Sequence, residues 1–241
     1  PKCTLPHPSL PLPNGLQMKP VKLRGVDSAG MICSSEEIGL PKMGAGIIEF
    51  DDSIGALVIG KELCEYESLN DTIIEVELTA NRGDVLSING VARELAAGFG
   101  LEIGHHNYKI NDDNSKGIGR VLHVESDDSV TASMVFKVIE SETLKSTFYM
   151  DLRLAQVDKY CDDAIERVLA YVKHTSGVIT YLYDFKTFLN SDTQKSEIQV
   201  SYENGVNVLK STQNDIAKIG IEQLDNGAPK QDSNLFILAA S

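Results

Sequence analysis

The chain has no run approaching the ~18 consecutive apolar residues that a membrane-spanning helix needs, so a membrane span is excluded. A charged-then-apolar leader of the secretory kind is also missing. Pro1 stands where an initiator Met would, which predicts a piece of a longer polypeptide. Trp is absent among the 241 residues, and only 6% are aromatic. The four cysteines (Cys3, Cys33, Cys64 and Cys161) lie far apart without a C-x-x-C pair, which argues against a zinc site or a disulfide framework and predicts reduced thiols in a cytoplasmic protein. No G-x-S-x-G, no Walker glycine loop and no H-E-x-x-H occurs, so the common hydrolase, nucleotide-binding and zinc-protease readings lack their residues.

Basic charge is scarce as well. Lys and Arg number 22 against 35 Asp and Glu, a formal charge of −13, whereas a protein gripping nucleic acid over its whole surface is basic. The deficit is uneven: residues 1–60 carry 5 basic and 6 acidic side chains, residues 61–117 carry 5 and 11, and residues 118–241 carry 12 and 18. Any polyanion contact is therefore expected to be local, with the near-neutral opening segment the place for it. Lys19, Lys22 and Arg24 are the set placed to meet phosphate, on a strand-like alternation after a proline-rich start. An OB-type groove adds aromatic stacking to such charges, and no aromatic occurs between residues 1 and 49.

Local signals divide the rest. Ser34 with Glu37 reads as a capping box closed by Gly39, and residues 44–52 read as a strand, a pattern that suits a small β-barrel. Residues 73–78 (IIEVEL) read as a strand with one wet face, followed by a turn at Asn81, Arg82, Gly83 and Asp84. In that turn Asn81 tolerates positive φ, Gly83 relieves steric conflict, and Arg82 can pair with an acid or face a partner. Ser87 then caps a helix with Val91, Ala92, Leu95, Ala96 and Phe99 at helical spacing, ended by Gly100. Residues 105–117 read as a polar linker, with His105 and His106 as solvated neighbours rather than metal ligands. Residues 162–177 give the best helix, capped by Asp162 or Asp163, with Ile165, Val168, Leu169 and Val172 as its buried stripe and Lys173 and His174 at its negative end. Strands are expected within 119–126, 132–141, 177–185, 196–203, 205–211 and 234–241. His123, in a strand, suits packing.

Two stretches carry a resemblance. KLRGVDSAGMICSSEEIGL at 22–40 resembles the tRNA-binding OB-fold of the bacterial phenylalanyl-tRNA synthetase β subunit, and IIEVELTANRGDVLSINGVAREL at 73–95 resembles the segment that follows it in that family. The implied class is α+β and multidomain: a partial OB-fold β-barrel at 1–62, a strand-turn-helix segment at 63–104, a linker at 105–117, and a sheet-rich editing-type α+β domain at 118–241, truncated at its C-terminus. By resemblance the segment supplies tRNA(Phe) contact and scaffolding and needs no metal or cofactor of its own. ATP and Mg2+ are implied for the whole ligase, with amino-acid activation in an α subunit of a heterotetramer. Two alternatives follow: an editing hydrolase of Tyr-tRNA(Phe), or a free-standing OB-fold tRNA-binding module, against which the second motif counts. The editing pattern is degenerate here. Tyr181 replaces the family's histidine in the stretch ending at Asp184, and the glycine-rich stretch corresponds to residues 219–225, with Glu222 and Asp225 in place of pocket glycines and glutamate.

Overall fold

Turns and caps, more than long ladders, shape the opening of the chain in the computed structural model, which describes residues 11–13, 15, 17–28, 30–104, 118–130, 133–141, 144–190, 192–211, 215–218, 222–223, 229 and 235–240. The class is α+β: among the described residues there are three α-helices and three sheets, none closed into a barrel. The chain forms two units, one of Pro1–Glu77 with Lys145–Tyr171, the other of Leu78–Leu144 with Val172–Ser241.

In the first unit, β1 (Val21–Leu23) and β2 (Val26–Ser28) pair antiparallel through a two-residue connection. Arg24 at φ 50° and Gly25 at φ 84° supply the two positive-φ positions that such a tight hairpin needs. The capping box forms as its spacing predicts: Ser34 N donates to Glu37 Oε2 at 2.8 Å, and Glu37 N donates to Ser34 Oγ at 3.4 Å. It holds one 3-10 turn, Glu36–Ile38, which Gly39 ends at φ 83°. The core gathers Ile48, Ile54, Tyr66, Phe148 and Leu152, all buried.

Two of those core residues, Phe148 and Leu152, lie on a helix, Phe148–Gln156, that has no counterpart among the predicted elements. Numbered along the chain it is α2, after α1 (Ile88–Phe99) and before α3 (Ala164–Ser176). Phe148, Leu152 and Ala155 place one side of α2 in the core at helical spacing. Its first N–H groups are met from far away in sequence. Asp51 Oδ2 accepts from Phe148 N at 2.8 Å, Ser53 Oγ accepts from Tyr149 N at 2.9 Å, and the nearby Thr147 Oγ1 accepts from Met150 N at 3.3 Å.

The strands predicted at 44–52 and 73–78 do not form. Gly44 and Gly46 take φ values of 66° and 107°, outside strand geometry, and Asp51 and Ser53 turn instead to cap α2. Residues 71–79 carry no strand, because no neighbouring strand among the described residues offers them a ladder. Among the described residues the first unit keeps one strand pair, β1–β2, and no barrel.

The second unit holds the sheets. β3 (Leu122–Ser126), β6 (Ser196–Glu203), β7 (Val206–Lys210), β8 (Asp215–Lys218) and β9 (Glu222–Gln223) lie side by side in that order, β3 parallel to β6 and the rest antiparallel. A smaller antiparallel sheet runs β4 (Val135–Glu140), β10 (Leu235–Ala240), β5 (Thr180–Asp184). Inward residues of both sheets share one core: Leu122, Ile198, Val200 and Leu209 from the larger, Tyr181, Tyr183, Ile237 and Ala239 from the smaller. The Asn204–Gly205 turn, with φ of 50° and 86°, closes the β6–β7 hairpin.

Candidate functional sites

Lys19, Lys22 and Arg24 are all exposed. Lys22 sits in β1 opposite Asp27 of β2. Arg24 stands in the turn, where the chain reverses. The three are close in sequence on and beside one hairpin, a compact cationic projection with no ring beside it in the sequence.

The Asn81–Asp84 turn is tied inward. The Arg82 guanidinium donates to Asp84 through Nε and Nη2, both at 3.0 Å, and to Glu94 on α1 through Nη1 at 3.1 Å and Nη2 at 2.7 Å. Hydrogen bonds from Arg82 hold both carboxylates below their usual range. Neither Asn81 nor Gly83 takes a positive φ, so the conformational reason predicted for them does not apply. The glycine that the turn requires is Gly90. A Cβ there would lie 2.4 Å from the Asp84 carbonyl oxygen, so the Gly83–Val85 turn sits against the α1 backbone. Ser87 caps α1 by accepting from Gly90 N at 3.0 Å, and Gly100 ends it at φ 65°.

The editing candidates part company. Tyr181 is buried in the core of the second unit, its ring stacked on that of Tyr183 at 6.3 Å, and Tyr183 meets Phe188 edge-on at 5.7 Å. Burial, with Tyr181 beside it, pushes the Tyr183 hydroxyl far above the usual tyrosine range, and that hydroxyl has no partner among the described residues. Asp184 is buried too and accepts from Lys186 N at 2.9 Å, capping the 3-10 turn Phe185–Phe188. Glu222 lies on β9, opposite Lys218. Asp225 lies outside the described residues, as do His105, His106 and Cys3. The structure therefore gives Tyr181 and Asp184 packing and capping work.

Of the other histidines, His123 is exposed and meets Glu125 at 3.0 Å. His174 sits near the end of α3, where burial lowers its pKa and so disfavours the charged form that the helix end would welcome. Cys33 is fully buried; desolvation, then Glu37, raises its thiol above the usual range. No group of His, Cys, Asp and Glu among the described residues is arranged to hold a metal ion.

Arg167 on α3 is a polar centre that the sequence reading passed over. It pairs with Asp151 at 2.7 Å, donates to Ser146 Oγ at 2.9 Å and to the carbonyls of Cys161 and Asp162 at 2.7 and 2.9 Å, and stacks over Tyr160 at 5.0 Å. Both Arg167 and Asp151 are largely shielded, so the pair fixes α2 against the start of α3. Nearby, a depression of about 640 Å³ is lined by Lys42, Gly44, Asp158, Tyr160 and Asp162, among others. The sequence clue was an arginine inside an amphipathic helix, flanked by apolar positions.

No family model matches the chain. Individual proteins do. The phenylalanine–tRNA ligase β subunit of Sulfurimonas denitrificans is 38% identical over 213 residues, covering 88% of this chain and 27% of that protein. The β subunit of Campylobacter jejuni strain RM1221 is 37% identical over 240 residues, 95% of this chain and 30% of its own length. The more distant subunit of Clostridium tetani is 27% identical over 240 residues, 94% of this chain and again 30% of its length. The chain thus spans about 30% of the length of the curated relatives it matches. With the two motifs in order, and with similarity running through both units, the chain belongs to the phenylalanine–tRNA ligase β subunit family.

Proposed function

We propose that this segment gives the β subunit a tRNA contact and part of its scaffold, inside an ATP- and Mg2+-dependent ligase whose amino-acid activation lies in the α subunit. The observation that carries it is the hairpin: exposed Lys22 lies on β1 and exposed Arg24 in the tight turn, with Lys19 just before β1, in the segment least burdened by acid. Local cation on a strongly acidic chain concentrates polyanion contact there and repels it elsewhere. In the same reading residues 1–62 are a partial OB-type module, residues 118–241 an editing-type α+β domain, and the assembly an α–β heterotetramer working in the cytoplasm. The finer division into 1–62, 63–104, 105–117 and 118–241 belongs to this proposal as well.

Hydrolysis of Tyr-tRNA(Phe) by the second unit has less support. A deacylating site needs a cleft where an ester and a water meet polar groups. Tyr181 and Asp184 instead lie in packed interior, the first stacked on a neighbouring ring and the second capping a turn.

The test is the salt dependence of tRNA(Phe) binding by the whole ligase carrying Lys19→Gln, Lys22→Gln and Arg24→Gln together. For every phosphate that the three side chains neutralise, the substitutions should reduce the steepness of log K against log salt by roughly 0.7–0.9. An unchanged slope removes the hairpin from the interface.

A further inference from the structure

The depression in the first unit is lined by charges of both signs. Lys42 and Ala45 lie on one stretch of its lining, and Ala155, Asp158, Tyr160 and Asp162 lie on the end of α2 and the loop after it, around a hollow of about 640 Å³. That size falls within the range of small-molecule sites, about 300–1,000 Å³. Lys42, Asp158 and Asp162 are exposed, and among the described residues none of the three enters an ion pair, with one another or with any other group. Opposite charges that line one hollow and stay apart leave space between them for a ligand that carries both signs.

The lining is held from behind. Arg167 donates to the carbonyls of Cys161 and Asp162 and lies over the Tyr160 ring, so a shielded group outside the hollow fixes the loop that presents Tyr160 and Asp162. Facing it, Met43 N donates to the buried Ser35 Oγ at 3.1 Å, which ties the Lys42 stretch to the capping-box turn. Support of this kind preorganises the groups that line a site. Asp158 adds a cost that helix closure does not explain. It ends α2 in the left-handed conformation at φ 56°, donating to Ala155 O at 3.3 Å, where Gly is favoured and where the helix end disfavours a carboxylate.

We propose that this hollow binds a free α-amino acid as its zwitterion, with the ammonium toward Asp158 and Asp162, the carboxylate toward Lys42, and an apolar side chain against Ala45 and Ala155. The charges select that class. Two carboxylates repel a phosphate, and Lys42 repels a diamine, whereas a molecule of both signs answers all three groups. The inference stands apart from the tRNA reading, since it uses neither the hairpin nor the second unit.

The experiment is a saturation-transfer NMR titration of L-leucine against the complete β subunit, purified without the α subunit. Leucine carries both charges and an apolar side chain, and it is neither phenylalanine nor tyrosine, which keeps activation and editing out of the readout. N-acetyl-L-leucine lacks the ammonium and L-leucinamide lacks the carboxylate. Leucine should bind, and each derivative should bind roughly tenfold more weakly, the low end of what a hydrogen bond to a charged group contributes. Lys42→Gln should weaken leucine to the level of leucinamide and leave leucinamide unchanged. Asp158→Gly combined with Asp162→Asn should weaken leucine to the level of N-acetyl-leucine. Gly at 158 relieves the left-handed backbone, so a loss of binding there does not come from misfolding. No binding of leucine, equal binding of the three compounds, or leucine binding that neither variant weakens would each overturn the proposal.

Discussion

A methyl group added at Gly90 would lie 2.4 Å from the Asp84 carbonyl oxygen and 2.8 Å from Val85 Cα, whereas one added at Gly98, in the same helix, meets nothing within 4 Å. The two positions thus share a helix and differ in what stands beside them. Backbone atoms cannot swing aside, so Gly90→Ala should push the 83–85 turn off α1 and destabilise the subunit by about 1–3 kcal/mol, the range for forced overpacking. Gly98→Ala should stabilise it by roughly 0.5–1 kcal/mol through helix propensity. Denaturant unfolding of the β subunit compares the two; equal effects of the same sign would contradict the close approach at Gly90. At this scale the sequence showed where a turn was needed and misassigned the glycine that needs to be one. The signature N-R-G-D draws attention to Gly83, yet the steric demand falls seven residues on, on the far side of a contact that no local pattern reveals. Arg82 was legible as far as an acid partner, and both acids, Asp84 and Glu94, are within reach of its planar fork.

Among elements, the caps were the most legible because they are local. Ser34 with Glu37, Ser87 with Gly100, and Asp163 at the head of α3, accepting from Ile165 N and Glu166 N at 2.8 Å, all involve residues near in sequence. Strands β6, β7 and β10 also match their predicted stretches closely, β6 through alternation and β10 through a short continuous apolar run, signals that need no distant partner to be read. The expected stripe of α3 at Ile165, Val168 and Leu169 is only half-buried. What the sequence hid were elements whose support is distant. α2 takes part of its N-terminal cap from Asp51 and Ser53, nearly a hundred residues earlier, so Asp51, at the end of the stretch that looked like a strand, serves that cap instead. Asp51 gives this long-range contact a pH signature. Burial raises its pKa, and hydrogen bonds from the Ser53 side chain and from the N–H groups of Phe148 and Ser53 outweigh that, holding it below the usual carboxylate value. A carboxyl depressed on folding stabilises the fold above its unfolded pKa, and that contribution is lost as pH falls through the lowered folded value. Asp51→Ala should cost about 1 kcal/mol near neutrality, a typical cost of removing a cap. The same substitution should flatten the acid limb of a stability–pH curve, and a variant that keeps the wild-type acid limb would contradict the role of the cap.

At the scale of the molecule, charge and order of motifs did what periodicity could not. A chain of formal charge −13 has little surface that attracts a polyanion, and the hairpin is where the opening segment concentrates cation. The family was legible from two strings in sequence order, and similarity then extends through the sheets of the second unit, which carry no distinctive motif of their own. The expected barrel is not found among the described residues, because strand-like runs become strands only where neighbours complete a ladder, and residues 71–79 have none among the described residues. The proposed division of labour has this segment meeting tRNA while activation proceeds elsewhere in the assembly. The most direct measurement is steady-state phenylalanylation by the whole ligase carrying Lys19→Gln, Lys22→Gln and Arg24→Gln, set beside phenylalanine-dependent ATP–pyrophosphate exchange, which needs no tRNA. The predicted result is a raised KM for tRNA(Phe) with exchange unchanged; a loss of exchange, or a tRNA KM equal to that of the unaltered enzyme, would contradict it.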